Sequence, residues 1–412
     1  MDTEETGPPA GNDAATETGG DGAVSLDAGH ITRTTRQLGE TADHLQRWLA
    51  RTLGPGRNPV ITGLTRPESN GMSSETVLFS ARWDEDGSPV ERRLVARIEP
   101  PSTAYPLFTT YDLDMQFRVM RLVGEHTSVP VPETFWYEPD PAVLGGPFFV
   151  MAQVDGAVPP DVLPYTFEDN WVFDAEPADR RRLQRSVITA VAGIHSITPD
   201  RFDLGFLGPD PGTEAPATPG GTEVPGPTSL ERLVHRWKRY ADWVVGDTPS
   251  PLLAECFAWL EERRPDTVGA DALSWGDGRI GNMMFRDFEV VAVLDWEMAS
   301  VAPPEVDLGW LCYLHRFFHD IATDLGAAGL PDLFRPVDVT AAYAQVSGYH
   351  PVDLTWFVAF AAVRHGAIMR RVTERAIFFG EADMPHDVDD LILHRASLRA
   401  MLDGSYWQRL AL

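Results

Sequence analysis

The sequence predicts an α+β protein of two lobes: a small antiparallel-sheet N-terminal lobe with one packed helix, and a larger, mainly helical C-terminal lobe. Apolar residues alternate in short runs before residue 153 and recur at helical spacing in long segments after it. The 412 residues also exceed one ordinary domain and allow each lobe its own core. The lobes are expected at 30–152 and 153–412.

Residues 1–29 hold seven acids, no Lys or Arg, and many Gly, Ala and Thr, the composition of a disordered acidic tail. An amphipathic helix is expected at 34–53, then strands at 76–83 and 92–98 and a second helix at 112–122. Strand character returns at 134–137 and 148–151. Beyond the sheet, apolar residues at helical spacing predict helices at 178–195, 230–245, 252–263, 308–319 and 353–379. Residues 209–228, rich in Pro, Gly, Thr and Glu, interrupt them as an expected mobile surface loop.

Composition excludes several functions. A net charge of −27 repels nucleic acid and anionic membranes, so neither is an expected partner. No apolar run approaches the ~18 residues of a membrane span, and the N-terminus lacks the basic start and apolar core of a signal peptide. A cytoplasmic location is therefore expected. Cys256 and Cys312 have no C-x-x-C spacing, which argues against a disulfide framework or structural zinc and for two buried thiols.

Residues 274–297 read S-W-G-D-G-R-I-G-N-M-M-F-R-D-F-E-V-V-A-V-L-D-W-E and carry the strongest chemical signal. Asp277 and Asn282 have the D-x-x-x-x-N spacing in which a kinase catalytic loop supplies a base and then a magnesium ligand. A polar break at Arg286 and Asp287 and the β-branched run 290–294 suggest two short strands joined by a tight turn. Such a hairpin sets Asp295 beside Asn282, two hard oxygen ligands for a magnesium ion that also takes phosphate and water. Gly276, Gly278 and Gly281 also spell G-x-G-x-x-G, with Asp295 at the distance of a ribose-binding acid. A dinucleotide fold needs a full helix after those glycines, and only about eight residues are available at ~1.5 Å each.

W-G-D-G-R-I-G-N followed by V-L-D-W-E resembles the aminoglycoside phosphotransferase and choline-kinase-like family of the protein-kinase-like fold, over about residues 55–400. The resemblance implies a bilobal kinase-like architecture and transfer of the ATP γ-phosphoryl group to a small-molecule hydroxyl. It makes Asp277 the catalytic base and Asn282 and Asp295 the magnesium ligands. Arg279 takes the place of a kinase Lys directed at the transferring phosphate. The family usually has His before G-D; Trp275 stands there, so backbone bracing must come from packing or from the indole N–H.

The nucleotide side is read in the same way. Asn70 and Gly71 form a hairpin-turn dipeptide, followed by Ser73 and Ser74, whose small hydroxyls and backbone N–H groups suit phosphate. The segment resembles the family's G-x-S-N-x-T nucleotide loop. Lys238, the single lysine, lies far from the first-lobe strands, and Arg97 stands at the phosphate-anchoring strand position. Its helix partner, normally Glu, matches Gln116; Glu75, Asp112 or Asp114 are the alternative countercharges. The segment F-F-V-M-A-Q-V-D-G resembles the family hinge, with Met151 as gatekeeper and the Ala152 and Val154 backbones facing adenine. His195, ending a helix, and Asp307 are expected to be scaffolding.

R-I-E-P-P at 97–101, together with W-G-D-G-R-I-G-N and L-D-W-E-M-A, looks more like the phosphotransferase domains associated with acyl-CoA dehydrogenases than like drug-modifying enzymes. That suggests a hydroxyacyl thioester acceptor, whereas an acidic pocket would suit a cationic aminoglycoside-like compound. Two other classes compete: a nucleotide-binding pseudokinase acting as a scaffold, motivated by Gln116 and Trp275, and a magnesium-dependent hydrolase using Asp277 and Asp295.

Overall fold

The computed structural model describes residues 36–67, 74–100, 105–161, 163–208 and 228–410. The expected tail at 1–29, the expected loop at 209–228 except for its last residue, and Asn70, Gly71 and Ser73 lie outside the described residues.

The chain opens with α1 (Leu38–Leu53) and continues through β1 (Val60–Thr65), β2 (Glu75–Glu85) and β3 (Ser88–Ile98). Next come α2 (Leu113–His126), β4 (Thr134–Glu138) and β5 (Phe148–Ala152). The five strands form one antiparallel sheet in the order β1-β2-β3-β5-β4. Asp86 and Gly87, with φ of 49° and 83°, make the two-residue turn between β2 and β3, the left-handed geometry an Asp-Gly pair favours. Strand β1 escaped the sequence reading because it is a mostly exposed edge strand interrupted by Gly63, so it shows no clean alternation. Asp112 caps α2 by accepting from the Met115 backbone N–H at 2.8 Å.

The two faces of this sheet belong to different cores. On the α1 face, Trp48 meets Trp136 and Phe148 edge-on at 5.9 and 4.8 Å between ring centroids, over a small core of its own. On the α2 face, Val95, Phe149 and Met151 join the same buried cluster as the helices that follow. The sheet is thereby packed directly onto the helical part of the chain.

That part comprises α3 (Pro177–Ile194), α4 (Ser229–Val245), α5 (Pro251–Glu262), the short strands β6 (Ala272–Ser274), β7 (Met283–Arg286), β8 (Glu289–Val293) and β9 (Ser300–Ala302), then α6 (Glu305–Asp324), α7 (Pro336–Ser347), α8 (Thr355–Phe378), α9 (Arg395–Asp403) and α10 (Ser405–Leu410). A capping box of Thr228 and Glu231 starts α4, and the Ser250 hydroxyl caps α5. Helix α7 was not anticipated; it buries only Val339 and Tyr343 and leaves Val337 and Val346 exposed, so its apolar stripe is broken. No helix among the described residues is long and apolar enough to cross a membrane.

Buried core histidines make stability depend on pH. His315 is satisfied as a neutral ring, with Nδ1 3.0 Å from the Tyr165 hydroxyl and Nε2 2.9 Å from the Leu330 carbonyl oxygen. Burial pushes its pKa down to about 3 and that of His394 down to about 4, and burial with the neighbouring His394 holds His365 well below its ordinary value. The unfolded chain therefore binds more protons than the folded one below the ordinary histidine pKa near ~6.5. The stability these rings confer is complete above that pH and is lost as pH falls toward the folded values. Urea unfolding at pH 7, 6 and 5 is expected to show a loss approaching about 4 kcal/mol per pH unit for the three. His394→Leu is expected to remove about a third of that slope.

Candidate active site

The site is assembled around one loop and one hairpin. Strand β6 pairs with β9 and delivers residues 275–282, while β7 and β8 pair across Met283↔Val293. Asp287 and Phe288, with φ of 52° and 63°, close the hairpin. The Leu294 backbone N–H donates to the Asn282 carbonyl oxygen at 2.9 Å, so Asp295 leaves the hairpin beside Asn282, as the spacing predicts. Asp295 itself sits in the left-handed region at φ 58°, a conformation that costs a non-glycine residue energy and is held by its surroundings.

The loop is fixed by a buried carboxylate. Asp307, in the first turn of α6, accepts from the Ser274 hydroxyl at 2.8 Å and from the Trp275 and Gly276 backbone N–H groups at 2.7 and 2.9 Å. His195 caps α3 and brings Nε2 within 3.0 Å of the same carboxylate, while its Nδ1 meets the Tyr343 hydroxyl at 2.8 Å. Burial works to raise the Asp307 pKa, but His195 and the other donors outweigh it and hold the carboxyl below its ordinary value. Both residues are the scaffolding the sequence suggests. Gly276 has φ 88°, and a Cβ there would collide with the Met298 carbonyl oxygen, so only glycine fits. Trp275 replaces the family's histidine with an indole N–H that donates to the Leu294 and Asp295 carbonyl oxygens at 3.0 and 3.1 Å. It thus ties the Asp277 loop to the segment carrying Asp295.

Asp277 lies between donors. Its Oδ1 accepts from the Trp310 indole at 2.8 Å and its Oδ2 from the Asn282 amide at 2.6 Å, with the Arg279 Nε 3.5 Å from Oδ2. Burial raises its pKa and Asp295 adds to the effect; Arg279, Trp310 and Asn282 oppose it without cancelling it. A carboxylate with a raised pKa is a better proton acceptor than an ordinary one. Trp310 was missed from sequence, yet it lies three residues after Asp307 and so on the same face of α6, which is a usable signal.

Arg279 is held outside the loop by Asp161, whose Oδ2 accepts from Nη1 at 2.5 Å. Burial disfavours the guanidinium charge, but Asp161, Asp277 and Asp295 outweigh it and keep the cation firmly protonated. A Cβ on Gly281 would run into both partners of this ion pair, so the glycine leaves room for it. Asp161 carries no motif and was not foreseen.

Arg97 reaches across from β3. Its Nη2 donates to Asp295 Oδ1 at 2.6 Å and lies 3.8 Å from Glu297 Oε2. Burial again opposes the charge, and Asp295 and Glu297 outweigh it. The suggested countercharges are engaged elsewhere: Glu75 is bound by Arg36 and Arg66, Asp112 caps α2, and Asp114 lies 3.7 Å from Arg118. Gln116 is buried and its side-chain nitrogen has no hydrogen-bond partner among the described residues. Arg97 therefore takes its countercharges from Asp295 and Glu297 and not from α2.

On the nucleotide side, Ser74 is buried at the start of β2 and Met151 packs into the shared core. The Ala152 N–H is committed to the Glu133 carbonyl oxygen at 2.8 Å, which corrects the expectation that it donates to a base. The neighbouring Gln153 N–H goes to Arg93. Asp277, Asn282, Asp295, Arg279 and Arg97 are thus brought together.

A five-stranded antiparallel sheet packed on a helical lobe, with these side chains gathered at one hairpin, defines a bilobal kinase-like fold. The chain belongs to the phosphotransferase enzyme family, whose model matches residues 66–348. Family and fold together are those of a phosphotransferase enzyme of the kinase-like fold. A Ralstonia eutropha protein provisionally designated an aminoglycoside phosphotransferase shares the fold, with a TM-score of 0.59 and 22% identity over 90% of this chain and 98% of that one. A probable acyl-CoA dehydrogenase of Arabidopsis thaliana is 28% identical over 322 residues, 74% of this chain and 35% of that protein. Acyl-CoA dehydrogenase family member 11 of Gallus gallus is 30% identical over 270 residues, 65% of this chain and 30% of the relative. The chain spans about a third of the length of these relatives.

Proposed function

We propose that the protein transfers the γ-phosphoryl group of ATP to a hydroxyl of a small molecule in a magnesium-dependent reaction. The observation that carries this reading is the junction of Asp277, Asn282 and Asp295: base and oxygen ligands are held together by one side-chain bond and one backbone bond. Asn282 spends its amide nitrogen on Asp277, which leaves its carbonyl oxygen for a cation. Asp295 has one oxygen on Arg97 and a second remaining. Two such oxygens suit magnesium, which takes one or two protein ligands and fills its shell with phosphate and water. When bound, that ion supplies charge neutralisation between the β- and γ-phosphates.

The chain's own residues do the rest. Asp277 orients the acceptor hydroxyl and takes its proton as the new P–O bond forms and the bond to the departing ADP breaks. Arg97 anchors the outgoing diphosphate and Arg279 offsets charge on the moving phosphoryl group, so catalysis is mainly positioning and electrostatics. The loop at Asn70, Gly71, Ser73 and Ser74 covers the phosphates, and Met151 and the Val154 backbone line the adenine side. In this reading residues 30–152 form the nucleotide lobe and 153–412 the catalytic and acceptor lobe. The acceptor is proposed to be a hydroxyacyl thioester, on the strength of the acyl-CoA dehydrogenase relatives.

Calorimetry of ATP binding with and without magnesium tests the site. Wild type is expected to bind more tightly with magnesium. Asp295→Ala is expected to lose that gain, roughly tenfold or more, while retaining magnesium-free binding through the released Arg97. Turnover with hydroxyacyl-CoA thioesters and aminoglycosides then tests the acceptor. Folded wild-type protein that binds neither ATP nor GTP would overturn the assignment.

A further inference from the structure

Helix α8 buries an arginine without a carboxylate to hold it. Arg364 is 1% exposed, its Nη2 donates to the Gly276 carbonyl oxygen at 2.9 Å, and its Nε and Nη1 have no hydrogen-bond partner among the described residues. The guanidinium lies 4.4 Å from the ring centroid of Trp310, 4.6 Å from Trp237 and 5.4 Å from Phe360. Burial moves its pKa down to about 10, with Asp307 and Asp277 resisting the shift. Burying a cation in this way is costly, and a Met would fill most of the same volume without that cost. The compensating gain lies in what Arg364 touches.

We propose that Arg364 is a positioning residue for phosphoryl transfer, which sets Asp277 through two contacts at once. One contact is the Gly276 carbonyl, part of the peptide unit that leads into Asp277. The N–H of Gly276 is already fixed by Asp307, so Arg364 fixes the opposite side of the residue. The other contact is the face of Trp310, whose indole N–H donates to Asp277 Oδ1. A cation over an indole face draws electron density from the ring and strengthens its N–H as a donor. Arg364 thus holds the main chain before the base and the side chain that orients it. The inference rests on Asp277 being the base, as proposed above.

The test compares Arg364→Met, Arg364→Lys and Asp277→Asn with wild type in the full chain. Four properties are measured: thermal unfolding, magnesium-ATP binding, kcat and KM for magnesium-ATP hydrolysis with water as acceptor, and the indole N–H resonance of Trp310, assigned with Trp310→Phe. Arg364→Met is expected to fold and to keep its KM, while kcat falls roughly 10–100-fold, the scale of a small misplacement of a reacting group. The Trp310 resonance is expected to move upfield as its hydrogen bond weakens. Arg364→Lys, which keeps a cation, is expected to restore most of kcat and of the resonance position. If the methionine variant unfolds, Arg364→Gln replaces it and is expected to give the same fall in kcat and the same upfield movement. An unchanged kcat and an unmoved resonance in a folded neutral variant, while Asp277→Asn abolishes turnover, would overturn the role of Arg364 alone. Full turnover by Asp277→Asn would overturn the reading of the base and this proposal with it.

Discussion

Asp277→Asn is expected to lower turnover by roughly 10³-fold while leaving nucleotide binding nearly intact. The change is almost isosteric, so the loop held by Asp307 and Gly276 has no reason to move. What disappears is a carboxylate whose burial raises its pKa, and loss of a general base costs about 10²–10⁴ in rate. The amide oxygen can still accept from Trp310. The amide nitrogen would face Asn282 donor against donor across what is now a 2.6 Å bond, so Asn282 must turn its own amide. That rotation withdraws the Asn282 oxygen from the proposed cation, and a two- to fivefold loss of magnesium-dependent affinity is expected beside the loss of rate, about 0.4–1 kcal/mol. Stopped-time phosphate release and calorimetry separate the two effects. A variant turning over within tenfold of wild type would remove Asp277 as the base.

The parts of the site legible in the sequence are those whose geometry is local. Asp277, Asn282 and Asp295 fall within one loop and one hairpin, so spacing and strand character were enough to set them side by side. Arg97 could be placed because a strand position and the family pattern coincide. The residues that escaped come from distant segments: Asp161 precedes Arg279 by 118 positions, and Arg364 follows Gly276 by 88. Their relation to the loop is set by tertiary packing, of a turn in one case and of α8 in the other, for which the sequence carries no spacing rule. The expected partners of Arg97 failed for a related reason. Glu75 was near in sequence pattern, but Arg36 and Arg66 compete for it, and only the folded chain shows which cation wins. Ala152 differs again, because strand pairing leaves its residue type unchanged yet commits its N–H to Glu133.

Asp307→Ala is expected to destabilise the protein by about 3–5 kcal/mol, the cost of removing one partner from a buried, charge-assisted network. Four donors converge on this carboxylate from Ser274, Trp275, Gly276 and His195, and none of them is near solvent. Removing it leaves two backbone N–H groups of the catalytic loop unsatisfied, so activity is expected to fall together with stability, unlike in Asp277→Asn. The pH dependence gives a separate check. Because the folded state holds Asp307 below its ordinary carboxyl pKa, its stabilisation is complete above the unfolded value near ~3.9 and is lost as pH falls through the folded one. The buried histidines His315, His365 and His394 act in a higher window, below about 6.5. Wild type should therefore lose further stability below about pH 4 as Asp307 becomes protonated, and Asp307→Ala should show a smaller loss there while keeping the histidine-linked loss at higher pH. Unfolding curves from pH 7 to pH 3 decide the point: a variant whose loss below about pH 4 equals that of wild type would show that the Asp307 network does not hold the loop.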